Sequence, residues 1–383
     1  MRLRGKEVDK LPRKLYNGGK TKEKKDGFHT ASFTEVFMQT DFKEYVPYYV
    51  KTFERLVNTP SPSGYYTEIL PVLRELARET GAEFERTKKG CAVLTLKGKS
   101  AETLGLCAHA DTLGAMVRGI GANGSLTFSK VGGPILPTLD GEYCTVITRE
   151  GKKYSGTFLS TSPAAHVNRD SATKERTEET MYIRLDEKVA TPADVRALGI
   201  ESGDYVAYDP KFVFTESGFI KSRFIDDKAS VAAFFTVLKY VSDKRIVPER
   251  TVKFLVTLYE EVGHGASYVP ENLVSMLGVD MGCIGSDLNC TEHDVSVCAK
   301  DSRGPYDYDL TSRLISLAKE NKLSYAVDVY PYYGSDVGAM WAAGYDVPGA
   351  LVGTGVHASH GMERTHIDGV LNTLKLIALY LGV

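Results

Sequence analysis

Short apolar runs of strand length alternate with stretches of helical periodicity along most of this 383-residue chain, and few folds accommodate that alternation. Between residues 67 and 80, Ile69, Val72, Leu73, Leu76 and Ala77 recur at three- and four-residue spacing, which predicts an amphipathic helix ended by Gly81. Pro71 places the first turn close to itself, because proline is tolerated only near a helix start. Strand-like runs follow at Ala92–Leu96 and 104–108. Further along, the pattern predicts a helix over about 229–241, a strand over 252–258, another strand leading to Asp287, and helices over 310–320 and Ile367–Leu381. The fold class is therefore α/β: a mixed, mainly parallel sheet flanked by helices.

Between residues 117 and 212 the character changes. Glycines recur (Gly119, Gly121, Gly124, Gly132, Gly133), and β-type runs at 143–149, 157–160 and Met181–Leu185 replace the helical pattern. A small β-rich domain inserted at 117–212 would leave the α/β domain discontinuous, as 38–116 and 213–383. The first 25 residues hold ten Lys or Arg against three Asp or Glu, so residues 1–37 read as a basic, solvated tail. Met38 is a candidate alternative start, which the intact mass of natively expressed protein would test.

The composition excludes several classes of partner. A formal net charge of -2 gives no global electrostatic reason to expect nucleic acid or an anionic membrane. No run approaches the ~18 apolar residues of a membrane span, and the N-terminus lacks a signal-peptide core. The six cysteines are scattered without a C-x-x-C pair, which predicts reduced thiols and a cytoplasmic protein. Cys107, between strand-type neighbours, reads as a buried strand residue.

Three motifs carry chemistry. An apolar run ends in His109-Ala-Asp111, whose spacing puts both side chains on one face of a strand. His109 could then hold a metal through one ring nitrogen while Asp111 fixes the tautomer through the other. Asp226-Asp227 opens a helix, where Asp226 reads either as a capping acid or as a carboxylate bridging two cations, with Asp227 structural. The run 252–258 drives into Tyr259-Glu260-Glu261-Val-Gly263, and two carboxylates at the end of a buried strand call for a cation. One glutamate would bind it and the other would take a proton from an activated water.

Asp287, after the apolar run that starts at Met281, and His360 complete the ligand set. Asp280 reads as preceding its strand, which would place it at the opposite edge of the sheet. Such N/O ligands at strand ends suit two divalent ions, Zn foremost, with Co and Mn also compatible. His264 reads as a pocket or loop histidine, and His166, His293 and His366 have no partner spacing. Asp336 reads as a helix cap or a support for the site.

With these residues in place, the chain resembles the dinuclear metallo-aminopeptidases known as tetrahedral, glutamyl or deblocking aminopeptidases, some of which carry a cellulase name. The likeness runs from about Thr40 to the C-terminus and includes Gly132-Gly133, Asp226-Asp227, Glu260-Glu261-Val-Gly and Gly-Ser-Asp336. It implies one metal on His109, Asp226 and Asp287, a second on Asp226, Glu261 and His360, and Glu260 as general base; on that ground His357 is set aside. It also implies peptide substrates with a free N-terminus, and a homo-oligomer in which the inserted domain pairs subunits into dimers that assemble to a dodecamer. Departures at Asp111-Thr-Leu-Gly114, Lys228 and His360-Gly-Met-Glu363 touch the subfamily, not the ligands or the base. A glycosidase using Glu260 and Glu261 would leave His109 and His360 idle, and adjacent strand residues point to opposite faces. A related carboxypeptidase or deacylase, or a binding scaffold without activity, are the remaining alternatives.

Overall fold

The computed structural model describes residues 41–383; the basic tail 1–37 and Met38 lie outside them. The chain enters through helices α1 (Val46–Val57) and α2 (Ile69–Thr80), then strands β1 (Glu83–Arg86), β2 (Ala92–Leu96) and β3 (Ser100–His109). Six strands follow as a separate group: β4 (Gly114–Ile120), β5 (Leu126–Val131), β6 (Tyr143–Ile147), β7 (Lys153–Ser160), β8 (Met181–Leu185) and, after the short α3 (Pro192–Ala197), β9 (Tyr205–Tyr208). Next come β10 (Val213–Phe214), β11 (Phe219–Ser222), α4 (Ile225–Lys244), β12 (Arg250–Thr257), β13 (Leu273–Val279) and β14 (Gly282–Cys283). The chain ends through β15 (Val295–Asp301), β16 (Gly304–Pro305), α5 (Tyr308–Glu320), β17 (Tyr325–Val329), α6 (Asp336–Ala342), β18 (Gly349–Val356), β19 (Glu363–His366) and α7 (Ile367–Leu381).

The α/β expectation holds. The main sheet runs β1-β2-β12-β3-β13-β18-β15-β16, with β14 on β18 and β17 on β15. Its centre is parallel, β12 with β3, β3 with β13 and β13 with β18, while antiparallel pairs flank it on both sides. Burial explains the sequence of the central strands. β18 is buried at every position and β3 from Thr103 onward, because helices cover both faces of a parallel sheet. Helix α4 is buried from Ile225 to Leu238 and lacks a polar face, as expected of a helix packed between the sheet and its neighbours α1, α2 and α7. By contrast, α2 buries Ile69, Leu70, Leu73, Leu76 and Ala77 on one side and stops where Gly81 takes φ +76°, a conformation that glycine adopts without a Cβ clash.

Strands β4 to β9 close into a barrel in the order β4-β5-β8-β7-β6-β9. Phe158 holds its centre, meeting Phe128 and Tyr208 edge-on at centroid distances of 5.0 and 5.3 Å. The barrel begins at Gly114, ahead of the predicted Val117, so it grows almost directly out of the end of β3. A third, smaller sheet joins β10, β11 and β19.

Candidate metal centre

The parallel centre of the sheet aims four chain segments at one edge. β3 delivers His109, β12 runs into the turn at Glu260 and Glu261, β13 ends against Asp280, and the segment after β18 brings His360; α4 adds Asp226 from its first turn. The carboxyl edge of parallel strands is where open α/β sheets place their ligands. His109 Nε2 lies 3.1 Å from Asp226 Oδ1 and 3.8 Å from Glu260 Oε2. His360 Nε2 lies 3.7 Å from Asp226 Oδ2 and 3.6 Å from Glu261 Oε2. Asp226 therefore offers one oxygen to each histidine.

The expected Asp287 does not reach this group. It is exposed, and its carboxylate accepts from the neighbouring Ser286 hydroxyl. Asp280 stands there instead, 6% exposed and clustered with His109 and Asp227. The error was one of direction: the strand is Leu273–Val279, so Asp280 follows a strand and does not precede one. Close packing supports the placement, because a Cβ on Gly353 of β18 would sit 1.7 Å from the Asp280 carbonyl oxygen.

Asp111 works differently from its sequence reading. The second ring nitrogen of His109 faces the Asp111 backbone carbonyl at 2.9 Å, whereas the Asp111 carboxylate is 3.5 Å away. That carboxylate instead accepts from the Ser63 hydroxyl and from the backbone amides of Glu260 and Glu261, so it sets the glutamate turn. Gly263 closes the turn at φ +82°. Asp336 supports the next segment, accepting from Thr257 Oγ1 and from Ala266 N, and a Cβ on Gly265 would come within 2.3 Å of it. His264 is drawn away, stacked on Tyr259 and held by Lys89.

Two positioning residues stand behind the group: Glu363, which has no role in the sequence reading, and Asp227, which reads there as structural. Buried Glu363 accepts from the backbone amides of Asp226 (3.0 Å) and His360 (3.3 Å), tying the two segments together. Asp227 accepts from the His109 amide at 3.1 Å. Both act on backbone amides, which no residue spacing reveals.

The electrostatics fit cations. Burial pushes Glu260 and Glu261 well above the ordinary glutamate range, and Asp280 up to about 7 with Asp226 adding to the effect. Burial is the largest influence on Asp226 and opposes its ionisation, but the His109 hydrogen bond, the His109 and His360 imidazoles and the Ser359 hydroxyl together hold that carboxyl low. Among the described residues no Lys or Arg pairs with these acids, and one oxygen of buried Asp227 has no partner. Several desolvated carboxylates without a cationic side chain, beside two imidazoles, are the donor set that divalent N/O metal ions neutralise. The group opens into a cavity of about 580 Å³ whose walls include Met281, Cys283, Arg303, Tyr332 and Tyr333.

Comparison with known proteins points the same way. Residues 90–376 match the family model described as M42 glutamyl aminopeptidase. The YhfE protein of Bacillus subtilis (strain 168) is 42% identical over 329 residues, covering 85% of this chain and 95% of that protein. A lysyl aminopeptidase of Pyrococcus furiosus is 21% identical over 211 residues, 55% of this chain and 59% of the relative. The fold is similar to that of a TET aminopeptidase from a marine sediment thaumarchaeon, with a TM-score of 0.80 at 18% identity over 88% of this chain and 96% of the other. It is also similar to the Pyrococcus horikoshii TET1 peptidase, which can assemble into a tetrahedron or a large octahedral shell, with a TM-score of 0.75 at 22% identity over 87% and 99%.

Proposed function

This chain belongs to the M42 glutamyl aminopeptidase family, and from that premise we propose that it is a dinuclear metal-dependent aminopeptidase acting on peptides with a free N-terminus. The observation that carries the reading is the convergence of His109, Asp226, Glu260, Glu261, Asp280 and His360 beside one cavity, with no Lys or Arg among the described residues ion-paired to these acids. His109, Asp226 and Asp280 would hold one ion and Asp226, Glu261 and His360 the other. When bound, the two ions supply a Lewis acid for the substrate carbonyl and an acidified water, with Zn the first choice and Co or Mn compatible.

The chain's own residues do the rest. Glu260, not needed as a ligand, takes the proton from the attacking water and returns it to the departing amine. Its raised proton affinity suits a group that must accept a proton near neutral pH. Asp111 holds the Glu260 amide and so aims the base. The acidic floor of the cavity favours the protonated α-amino group of a peptide, which restricts cleavage to the first residue. The barrel would pair subunits, and Tyr143 and Val167 are large apolar side chains exposed on it, as a pairing surface requires.

The test is a panel of aminoacyl-anilides beside N-acetylated peptides, assayed after chelation and after return of Zn, Co or Mn. Free-amine substrates are cleaved, blocked ones are not, and chelation abolishes turnover. Preferential cleavage of the blocked substrates would replace the aminopeptidase reading with a deacylase or endopeptidase.

A further inference from the structure

His293 is remote in sequence from His366 and Asp368, yet the fold brings the ligand atoms of all three together on the surface outside the catalytic cavity. Asp368 Oδ2 lies 3.1 Å from His293 Nδ1 and 3.2 Å from His366 Nδ1. In a tetrahedral zinc site, metal–ligand bonds of about 2.0–2.1 Å separate the ligand atoms by roughly 3.3 Å. We propose that these three residues form a separate site for a borderline divalent transition ion such as Zn²⁺, with water completing its coordination.

Hydrogen bonding fixes the chemistry of the buried member. His366 Nε2 faces the Ser217 carbonyl at 2.8 Å and must donate to it, while Nδ1 accepts from the Asp368 backbone amide at 3.1 Å. Nδ1 is therefore the unprotonated nitrogen, whose lone pair a metal ion would take over from the Asp368 amide, and the second-nitrogen contact to a carbonyl is the arrangement that orients metal-bound histidines. A cation held by this nitrogen and the Asp368 carboxylate would take His293 as its third donor. The His366 ring is further held edge-on to Phe219, with centroids 4.8 Å apart. Arg364, the nearby positive group, is engaged by Glu292 and stacked over Phe219. The positive end of the α7 dipole works against a cation here, and the Asp368 carboxylate in the first turn offsets it. Two imidazoles and one carboxylate select zinc-like ions over Mg²⁺ or Ca²⁺, which prefer all-oxygen sites.

Such an ion would clamp the segment before β15 to the junction of β19 and α7. β19 begins with Glu363, whose carboxylate holds the Asp226 and His360 amides by its own hydrogen bonds, so the clamp acts at the opposite end of that strand and leaves the catalytic group in place.

The experiment uses the full chain, stripped by chelator, dialysed and titrated with Zn²⁺ while bound metal is counted by mass spectrometry. Wild type takes up one more equivalent than His293→Ala, and the affinity for that equivalent falls by at least about 100-fold in the variant, beyond what loss of an outer contact causes. Peptide hydrolysis by His293→Ala is unchanged, because His293 lies outside the cavity. The one-equivalent difference persists even if the catalytic reading is wrong, so the two proposals fail separately. Equal uptake by the two proteins overturns the site. If the variant does not fold, zinc-edge anomalous scattering from wild-type crystals decides, through a peak or no peak beside His293 Nδ1.

Discussion

Glu260 and Glu261 are neighbours in sequence to which the proposed mechanism gives separate tasks, and substitution tests the division. Glu260→Gln keeps the metal ligands and removes the proton acceptor. The expected result is full metal content with kcat reduced roughly 10²–10⁴-fold; normal turnover would remove Glu260 from the mechanism. Asp280→Ala should lose bound metal and at least about 100-fold in activity, whereas Asp287→Ala should match wild type in both, as measured by metal analysis beside an anilide assay. The opposite ranking would restore Asp287. His109, Asp226, Glu260, Glu261 and His360 could be picked out because each breaks an apolar pattern or sits in a recognisable motif. Asp280 could not, since apolar residues lie on both sides of it and local pattern does not say which side is the strand. Glu363 was hidden for another reason: its partners are main-chain amides, which every residue has.

At the level of elements, helices with one buried face were the most legible. α2 and α7 lie where their periodicity predicts, and Gly81 marks the end of the first. α4 was read short because Asp226 and Asp227, at its start, have non-helical backbone angles and the helix beyond is buried all round. The barrel's β character was visible in its strands, but closure depends on the pairing of β9 with β4, a long-range fact. Close approaches between strands were equally invisible. Gly353 is where β18 passes the Asp280 carbonyl, so Gly353→Ala should force the backbone apart. A loss of about 1–3 kcal/mol in urea unfolding is expected, accompanied by weaker metal binding. Loss of stability with unchanged metal affinity would show that β18 does not set the position of Asp280.

For the molecule as a whole, the metals and the fold are linked by mass action. Ions that bind only the folded chain stabilise it by about 2.7 kcal/mol each when free metal is about 100 times Kd. Chelation should therefore lower Tm by several degrees in calorimetry, and Zn²⁺ should restore it. An unchanged Tm would mean that the acidic cluster is neutralised in some other way. Light scattering tests assembly: an oligomer is expected, and a monomer across micromolar concentrations would leave the barrel without its pairing role.

The placement of the barrel also bears on the order in which the protein is made. His109 pairs across the sheet with Thr257, although the barrel and α4 lie between them in the chain. A ribosome adding about 5–20 residues each second needs on the order of 10–50 s to go from His109 to His360. Every barrel strand has been synthesised by Tyr208, before Asp226, Glu260, Asp280 or His360 is added. On the proposed pairing role of the barrel, the nascent chain would carry its surface for a sister chain while the candidate metal pocket is still a single histidine, and subunits would meet before any of them could cut a peptide.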